Sequence, residues 1–324
     1  MASTAARPSV NGIVPQKDLE SFQFHLAKST RIIALLGAGV SASSGLPTFR
    51  GAGGMWRTHE ATDLATPEAF AADPGLVWQF YNYRRHMALN VKPNPAHYAL
   101  AELARKKQGF ITLSQNVDGL SPRAGHPSQS LKLLHGSLFD VKCSDFFCKY
   151  TQIDNYTDPI VPALTIPTTA DGDEVDPTSK AILASKDLDI SDVNVKIPEI
   201  DTAHLPSCPS CKGLLRPGVV WFGERLPGDV MSDIETWLDE SETIDLIMVI
   251  GTSAKVYPAA GYVDMAREKG ARVAVINMDK KDVPASGVYS QDWFFEGDAA
   301  KIVPELFKNE IGEITEMPDA ADSR

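Results

Sequence analysis

Short apolar segments alternate along the chain with segments of helical periodicity, and this alternation predicts the fold. Apolar side chains recur every three to four positions in residues 95–107 and 257–269, as on one face of a helix. The apolar segments are too short for such helices, and small or polar residues follow them. They comprise residues 31–36, 110–113, 131–134, 219–222, 246–250 and 273–276. We therefore predict an α/β fold: a Rossmann-like, mainly parallel sheet with helices on both faces.

The residues that follow these strands are the first candidates for a ligand site, because open parallel sheets bind ligands beyond the carboxyl ends of their strands. Gly37-Ala38-Gly39 follows the first strand, and Gly251-Thr252-Ser253 follows a later one. Glycines let the backbone approach a pyrophosphate, and a helix that starts there directs N–H groups at the anion. Taken alone, Gly-Ala-Gly is equally consistent with simple tight packing.

Amide, carboxylate and imidazole side chains follow two other strands. Gln115, Asn116 and Asp118 could bind the ribose hydroxyls and carboxamide of a dinucleotide, although an Asx-type turn explains the same residues. His135 follows an apolar strand and precedes a glycine, so its ring should emerge at the ligand-binding edge. It is either a structural histidine or a base, because a side chain with a pKa near neutrality can remove a hydroxyl proton at physiological pH.

The periodicity is lost from about residue 141 to residue 215, which predicts a small module inserted in the main domain. Cysteines bracket this module in two local pairs: Cys143 with Cys148, and Cys208 with Cys211. Four thiolates suit a closed tetrahedral zinc site, which holds structure rather than acting on a substrate. Disulfides are the alternative, but no secretory signal indicates an oxidising compartment. We expect residues 169–203 to form a loosely ordered surface loop.

Charge and the chain ends narrow the function classes. The net charge of −11, from 42 acidic and 31 basic side chains, argues against a nucleic-acid phosphate binder. No run of about 18 apolar residues occurs, so we expect no membrane span. We predict a flexible tail at residues 1–20 and an acidic tail at residues 309–324. The first tail is faintly like a mitochondrial presequence but poor in arginine, and a plain disordered tail is the alternative.

The stretch "FYNYRRHM", residues 80–87, places two tyrosines and two adjacent arginines on a short helical segment of an acidic chain. Tyr81 and Arg84 stand three residues apart, so on a helix they project from the same face and could close on one small anion. The alternative is an amphipathic helix whose aromatic rings pack and whose arginines are solvated.

Five stretches together resemble one protein family. They are "LLGAGVSASSGLPTFRG", "SQNVDGL", "LLHGSL", "RPGVVWFGE" and "GTSAKVYPAA". In order and spacing they resemble the sirtuins, NAD-dependent protein lysine deacylases, from about residue 31 to residue 306. The resemblance implies a catalytic domain at residues 21–308. Its Rossmann-like part would comprise residues 31–140 and 216–308.

The resemblance implies roles for the residues of the cofactor site. Asn116 and Asp118 would line the nicotinamide pocket, Phe49 would shield the reactive sugar carbon, and Arg50 would lie in a mobile cofactor loop. Asn277 would meet the adenosine ribose and Ala299 the adenine. The other expected NAD contacts are Gly37, Ala38, Gly39, Ser41, Thr48, Trp56, Gln115, Gly251, Thr252, Ser253 and Asp279.

The resemblance also implies the chemistry. His135, with Asn116, would be catalytic: in sirtuins the acyl-amide oxygen attacks the ribose carbon that bears nicotinamide, and the matching histidine then activates a ribose hydroxyl. The products would be free lysine, nicotinamide and an O-acyl-ADP-ribose.

The helical stretch matches the class III branch of sirtuins, which removes succinyl, malonyl and glutaryl groups. Tyr81 and Arg84 would bind the free carboxylate of such an acyl group, and Ala65 would leave room for it. Val220, Trp221 and Phe222 would pair with the acylated peptide as an added strand.

The implied partners are acylated lysines of proteins, with NAD and zinc as cofactors, and neither nucleic acid nor membrane. Two alternatives stay open: an ordinary deacetylase and a non-catalytic NAD or ADP-ribose sensor. By resemblance the location is the mitochondrion, with the cytosol or nucleus as alternatives.

Overall fold

The computed structural model describes residues 14–48, 54–168, 187–314 and 317–319. These residues divide into two compact units. The first unit takes the chain up to Leu46, Val91–His135 and the chain from Arg225 onward. The second unit takes Pro47–Asn90 and Gly136–Glu224.

The strands of the described residues are numbered in chain order. They are β1 Ile32–Leu36, β2 Met55–Trp56, β3 His59–Glu60, β4 Phe110–Ser114, β5 Leu131–Leu133, β6 Gly136–Cys143, β7 Thr151–Gln152, β8 Leu215–Val219, β9 Leu246–Ile250, β10 Arg272–Asn277 and β11 Trp293–Glu296.

The α-helices are numbered in the same way. They are α1 Gln16–Lys28, α2 Gly39–Ala42, α3 Ala61–Leu64, α4 Pro67–Ala72, α5 Pro74–Asn90, α6 Pro95–Lys106, α7 Leu120–Arg123, α8 Gly228–Asp239, α9 Gly261–Glu268 and α10 Ala299–Ile311.

The first unit is built on a six-stranded sheet in the order β11-β10-β9-β1-β4-β5. Every neighbouring pair is parallel, and Ile32 of the central strand β1 lies opposite Phe110 on one side and Leu246 on the other. The prediction of an open, mainly parallel sheet is confirmed. Strand β11, from the sequence "WFFE", was not predicted, because its apolar run is only three residues long.

Alternate residues of β1 enter two separate cores, because successive side chains of a strand point to opposite faces. Ile32, Ala34 and Leu36 pack with α1, α6 and α10 on one face. Ile33 and Leu35 pack with α8 and α9 on the other. The predicted helices on both faces are thus confirmed, and the carboxyl ends of the strands are left to carry ligand-binding residues.

The second unit is built on a three-stranded antiparallel sheet in the order β7-β6-β8, with the long helix α5 packed against it. Trp78 of α5 donates its indole N–H to the Leu215 oxygen of β8 at 2.9 Å. The strand predicted at residues 219–222 in the main sheet is wrong: β8 ends at Val219 and belongs to this smaller sheet. The amides of Trp221 and Phe222 bond instead to the Glu224 side chain and the Ala65 oxygen, which takes them out of a strand.

The boundaries observed differ from those expected at the inserted module. The second unit is wider than residues 141–215, because it begins at Gly136, ends at Glu224 and includes Pro47–Asn90. The family resemblance places the latter stretch in the Rossmann-like part at residues 31–140. The physical reason is α5, whose buried face packs on the antiparallel sheet rather than on the parallel one.

Both expected tails carry ordered structure near the domain. Helix α1 begins at Gln16, inside the stretch predicted as a tail at residues 1–20, and buries Phe22 and Leu26. Residues 1–13 lie outside the described residues. At the other end, α10 continues to Ile311, and Asp319 forms a buried ion pair with Arg123 at 2.6 Å.

Of the loop expected at residues 169–203, residues 169–186 lie outside the described residues. None of the described helices is long and apolar enough to cross a membrane.

Candidate functional site

Three glycines bring the turns after β1 and β9 into backbone contact. A Cβ on Gly39 would lie 2.7 Å from the Gly251 Cα, and one on Gly37 would lie 2.5 Å from the Thr252 Cβ. Gly251 has φ +63, and a Cβ there would meet the Val40 nitrogen at 2.4 Å. Only glycine fits these positions without displacing main chain. The tight turn that the sequence predicted is therefore present, and it leaves a main-chain cradle where a phosphate could approach.

The neighbouring polar residues are tied to the same turns. Gln115 donates its amide to the Leu36 oxygen at 3.2 Å and to Thr252 Oγ1 at 3.3 Å. The Ala38 oxygen accepts the amide of Ser41 at 3.1 Å, and Ser253 is buried. We call the ends of β1, β4 and β9 with these residues the cofactor edge.

A connected set of side chains fixes the amide and carboxylate predicted to bind nicotinamide. Ser41 donates its hydroxyl to Asp118 at 2.6 Å and accepts the side-chain amide of Asn116 at 3.3 Å. Asn116 also donates to the Gly37 oxygen at 3.1 Å. Asp118 accepts the amide of Leu120 at 2.9 Å, which orients its second oxygen. The structure thus brings Ser41, Asn116 and Asp118 together.

His97 completes this set and was missed from the sequence. Its Nδ1 accepts the Asn94 amide at 3.2 Å, so Nε2 carries the proton that faces the Ser41 oxygen at 3.4 Å. Burial lowers the pKa of His97 to about 4, so the ring is neutral at physiological pH. The signal was the spacing of Asn94 and His97 at the start of α6, where they form a capping box.

A cavity of about 250 Å³ lies beside the cofactor edge, at the ends of β1, β9 and β10. Its lining includes Gly39, Gly251, Asn277 and Ala299. Asp298 caps α10 by accepting the Ala300 amide at 2.9 Å, so the N-terminus of a 13-residue helix borders the cavity. Asp279 is exposed, accepts the Lys281 amide at 2.8 Å and is not among the lining residues.

His135 follows β5, and its Nδ1 lies 3.0 Å from the Gln115 backbone oxygen. Because a carbonyl oxygen only accepts, Nδ1 carries the proton and Nε2 carries the lone pair. Burial lowers the pKa of His135, and the bond to Gln115 opposes that effect. The ring is therefore neutral at physiological pH, with Nε2 able to accept a proton.

Four residues expected at the cofactor are not found at the cofactor edge of the described residues. Phe49 and Arg50 fall outside the described residues. Thr48 and Trp56 belong to the second unit. Trp56 lines a cavity of that unit together with the arginine of the predicted carboxylate clamp.

This second cavity, which we call the acyl cavity, has a volume of about 90 Å³. Arg84 is the one charged residue among the described residues that line it; the others used below are Trp56, Phe80, Tyr83, Met87 and Ser191. The Arg84 guanidinium lies 5.5 Å from the centre of the Phe80 ring. The indole N–H of Trp56 is buried and has no hydrogen-bond partner among the described residues. The cavity thus combines one cation, an indole donor and mainly apolar walls.

Tyr81 does not share this cavity, contrary to the expected clamp. Its hydroxyl accepts the indole N–H of Trp221 at 3.0 Å, and the residue is 1% exposed. Trp221 is held in turn by Arg216, whose guanidinium stacks 3.3 Å from the indole centre and pairs with Glu224 at 2.5 Å. Tyr81 is positioned by Trp221, a residue distant in sequence. The spacing of Tyr81 and Arg84 could not reveal this contact.

The remaining residues expected to bind substrate lie near Trp221. Ala65 is buried and accepts the Phe222 amide through its oxygen at 2.9 Å. Val220 is half-buried, and Phe222 is 49% exposed. Because the Trp221 and Phe222 amides are already bonded, an added peptide strand would have to use other main-chain groups here.

Arg85, the second of the two adjacent arginines, is structural. It is fully buried and donates to the oxygens of Asn155 at 2.7 Å, of Thr157 at 3.0 Å and of Leu138. Burial lowers its pKa to about 10, which still leaves it charged. One arginine of the pair therefore fastens α5 to β6 and the following loop, and the other lines the acyl cavity.

The four cysteines of the second unit form one cluster. Their sulfurs lie within 4.8 Å of one another, with Cys143 and Cys211 at 3.4 Å and Cys148 and Cys208 at 3.7 Å. A tetrahedron with metal–sulfur distances of about 2.3 Å has edges of about 3.8 Å, whereas a disulfide requires about 2.05 Å. The donor set and its spacing fit zinc, as the sequence predicted.

Comparisons with known proteins point to one family. A model described as the Sir2 family matches residues 37–258. The chain is 47% identical over 305 residues to a Candida albicans protein named NAD-dependent protein deacylase, covering 92% of this chain and 99% of that protein. A Danio rerio protein named NAD-dependent protein deacylase sirtuin-5, mitochondrial, is 41% identical, covering 92% of this chain and 89% of that protein.

The same similarity holds for solved structures. A structure of a Sir2 homologue in complex with NAD superposes with a TM-score of 0.66 at 35% identity, covering 90% of this chain and 93% of the other.

Proposed function

Because this chain belongs to the Sir2 family, we propose that it is an NAD-dependent protein lysine deacylase that prefers acyl groups with a terminal carboxylate. These are the succinyl, malonyl and glutaryl groups. The observation that supports this preference most directly is the acyl cavity, in which Arg84 is the single charged group among the described lining residues.

The chemistry of the acyl cavity supports an anionic ligand. A carboxylate next to a guanidinium in a mainly apolar cavity gains a charge-assisted hydrogen bond, worth roughly 1.5 to 3 kcal/mol. The indole N–H of Trp56 offers a second donor, which lacks a partner among the described residues. A buried donor without an acceptor is costly, and a ligand oxygen would satisfy it. We therefore assign the carboxylate to Arg84 and Trp56, rather than to Arg84 and Tyr81.

The cofactor edge supports NAD binding and the acid–base work. When bound, NAD supplies the ribose carbon that receives the acyl oxygen, and nicotinamide as the leaving group. The glycine cradle at Gly37, Gly39 and Gly251 admits the phosphates, and the cavity beside Asn277 and Ala299 admits the adenosine. Asn116 and Asp118 hold the nicotinamide end. His135 accepts a hydroxyl proton at Nε2, because its Nδ1 proton is donated to the Gln115 oxygen.

The four cysteines would hold one zinc ion. Thiolate ligands on all four positions leave no site for water, so the ion stabilises the antiparallel sheet of the second unit and takes no part in catalysis. Cys208 is fully buried, and the Gly213 amide donates to the Cys211 sulfur at 3.4 Å.

The proposed substrates are acylated lysine side chains of proteins. The name of the Danio rerio relative includes a mitochondrial location, and we extend that location to this protein. Fluorescence microscopy of the tagged full-length chain against a mitochondrial marker tests it. A cytosolic or nuclear signal would contradict the location and leave the chemistry intact.

The acyl preference is tested with peptides that differ only in the acyl group. We expect kcat/KM for succinyl-lysine to exceed that for acetyl-lysine by at least about tenfold. Arg84→Met should remove this preference while NAD-dependent turnover of acetyl-lysine persists. Arg225→Met, which changes an exposed arginine, is the matched control and should keep the preference. Equal rates on the two acyl groups in the unmodified protein would leave an ordinary deacetylase.

A further inference from the structure

Two residues with hydroxyl groups, Tyr83 and Ser191, also line the acyl cavity, and we call them its acceptor wall. Tyr83 lies on α5, and Ser191 comes from the inserted segment of residues 187–200. Both side chains meet at one carboxylate oxygen: Tyr83 donates to Asp189 Oδ1 at 2.6 Å and Ser191 donates to the same atom at 2.5 Å. The Ser191 amide donates to it as well, at 3.0 Å.

This arrangement fixes which hydrogen-bonding role the two hydroxyls can play. A hydroxyl group has one proton and two acceptor lone pairs. Because Tyr83 and Ser191 both direct that proton to Asp189, they can offer a ligand only their lone pairs. Hydrogen bonds from Ser191 and Tyr83 hold the pKa of the Asp189 carboxyl below its usual range, although burial opposes this. The carboxylate therefore stays ionised and keeps both protons engaged at neutral pH.

The pKa of Tyr83 is consistent with this assignment. Burial, and then the bond to Asp189, raise the pKa of Tyr83 to about 12, so the phenol stays protonated across the physiological range. The two hydroxyls of these lining residues consequently keep acceptor lone pairs and have no free proton to donate.

The segment that carries Ser191 and Asp189 is held in place by Arg57 and by side chains of α5. The guanidinium of Arg57 donates to the oxygens of Ile190 at 3.0 Å, Asp192 at 3.0 Å, Val193 at 3.1 Å and Val195 at 2.9 Å. The Arg57 amide also donates to the Ser191 oxygen at 2.9 Å. Farther along, Gln79 of α5 donates to the Pro198 oxygen at 2.8 Å. The segment is wrapped around Arg57 and fastened to α5, so the wall is preorganised.

The lining of the acyl cavity thus contains two residues with donor groups, Arg84 and Trp56, and two residues with hydroxyl acceptors, Tyr83 and Ser191. Arg84 and Trp56 suit a carboxylate, whereas Tyr83 and Ser191 suit a group that donates a hydrogen bond. A plain dicarboxylic acyl chain satisfies the donor residues but offers only methylene groups to the two hydroxyl acceptors. An acyl chain that carries a hydroxyl as well as a terminal carboxylate satisfies both, because its hydroxyl proton can bind the Tyr83 or Ser191 oxygen.

We propose that this protein takes hydroxyl-substituted dicarboxylic acyl groups on lysine as preferred substrates, with Tyr83 and Ser191 as the specificity-determining acceptors and Asp189 as the residue that sets their orientation. The proposal rests on the proposed deacylase function, and it adds a substrate class to that function. Arg84 still binds the terminal carboxylate.

The test uses one peptide sequence with three modifications: acetyl-lysine, glutaryl-lysine and 3-hydroxyglutaryl-lysine. We expect kcat/KM for the 3-hydroxyglutaryl peptide to exceed that for the glutaryl peptide by about three- to tenfold, the worth of one net hydrogen bond. The double variant Tyr83→Phe with Ser191→Ala should bring this ratio to about one. Ser232→Ala, an exposed serine on α8, is the control and should keep the unmodified ratio.

The outcomes separate this proposal from the proposed function. If glutaryl-lysine is no better a substrate than acetyl-lysine, the acidic preference itself fails. If glutaryl-lysine is clearly preferred over acetyl-lysine but the hydroxyl adds nothing, the acceptor wall is overturned and the acidic preference stands. The glutaryl to acetyl ratio of the double variant shows whether the cavity is intact: retention of that ratio with loss of the hydroxyl effect supports the proposal. Retention of the hydroxyl effect in the double variant overturns it.

Discussion

The cofactor edge of the first unit is made chiefly of main chain, whereas the acyl cavity of the second unit is made of side chains from distant segments. At the edge, Gly37, Gly39 and Gly251 approach one another so closely that a single Cβ would collide with backbone. In the acyl cavity, Trp56, Arg84 and Ser191 come from a hairpin, a long helix and an inserted segment. In the proposed function, backbone groups would bind NAD and side chains would discriminate among acyl groups.

This difference has a consequence for substitution. A change at the cofactor edge disturbs the path of the main chain, so it should impair both folding and cofactor binding. A change in the acyl cavity replaces one side chain on a scaffold held elsewhere, so it should alter specificity and leave the fold intact.

His135 is the general base of the proposed function. His135→Ala should lower kcat by about 10²- to 10⁴-fold, because it removes the general base, while NAD binding measured by calorimetry should persist. His204→Ala, which changes an exposed histidine, is the control. In the unmodified protein the acid limb of the pH–rate profile should lie below pH 6.5, the ordinary histidine value, since burial lowers the pKa of His135. An acid limb well above that value would contradict the assignment.

Removal of the metal should affect the second unit strongly. Chelation should release one zinc ion per chain, make four thiols reactive and lower Tm, because a structural zinc site contributes folding free energy directly. Zinc content by mass spectrometry and thiol titration measure these changes. Four thiols that react fully without any loss of metal or stability would refute the structural role.

Gly39 tests the backbone character of the cofactor edge. Gly39→Ala places a Cβ 2.7 Å from the Gly251 Cα, so the turn must shift, and we expect a loss of roughly 1 to 3 kcal/mol in unfolding free energy together with weaker NAD binding. Gly228→Ala is the matched control, because nothing lies within 4 Å of its Cβ position and the residue begins α8. Equal behaviour of the two variants in denaturant titrations would remove the argument from close approach.

The smallest effect concerns His86 of α5, which faces Asp158 at 2.6 Å, Asp187 at 3.1 Å and Asn90. The hydrogen bond to Asp158 raises the pKa of His86 despite partial burial. A raised folded-state pKa gives stability that is complete below the unfolded value of about 6.5 and is lost as the pH rises through the folded value.

The stability difference between the unmodified protein and His86→Gln should therefore be at most about 1 kcal/mol near pH 6 and shrink toward pH 9. Denaturant titrations at several pH values measure it. A difference that grows with pH would have the wrong sign.

The sequence predicted the cofactor edge better than the acyl cavity, because the edge is built from residues close together in the chain and the cavity is not. Glycines, Gln115 and Asn116 stand within a few residues of a strand end, so local periodicity and spacing identify them. Trp56 lies in the acyl cavity with Arg84 rather than at the cofactor, and Tyr81 bonds to Trp221 rather than lining that cavity. Local spacing could not predict these neighbours, because they lie far along the chain. His97 was visible only through its capping spacing.

The fold shows the same limit of local pattern. The parallel strands with long apolar runs were predicted, but the run at residues 219–222 was assigned to the wrong sheet. An apolar run predicts burial and not the partner strand, and the bonds of Trp221 and Phe222 to Glu224 and Ala65 decide the end of β8. Helix α5 joined the second unit through Arg85, whose bonds to three backbone oxygens depend on long-range packing.

The most direct test compares succinyl-lysine with succinamyl-lysine, the neutral amide of the same size and shape, in one peptide. The charge is then the only large difference between the two substrates. If the Arg84 side chain receives a terminal carboxylate, kcat/KM should favour succinyl by roughly ten- to a hundredfold, and Arg84→Met should reduce the ratio to about one. A ratio near one in the unmodified protein would contradict the binding of a terminal carboxylate by Arg84.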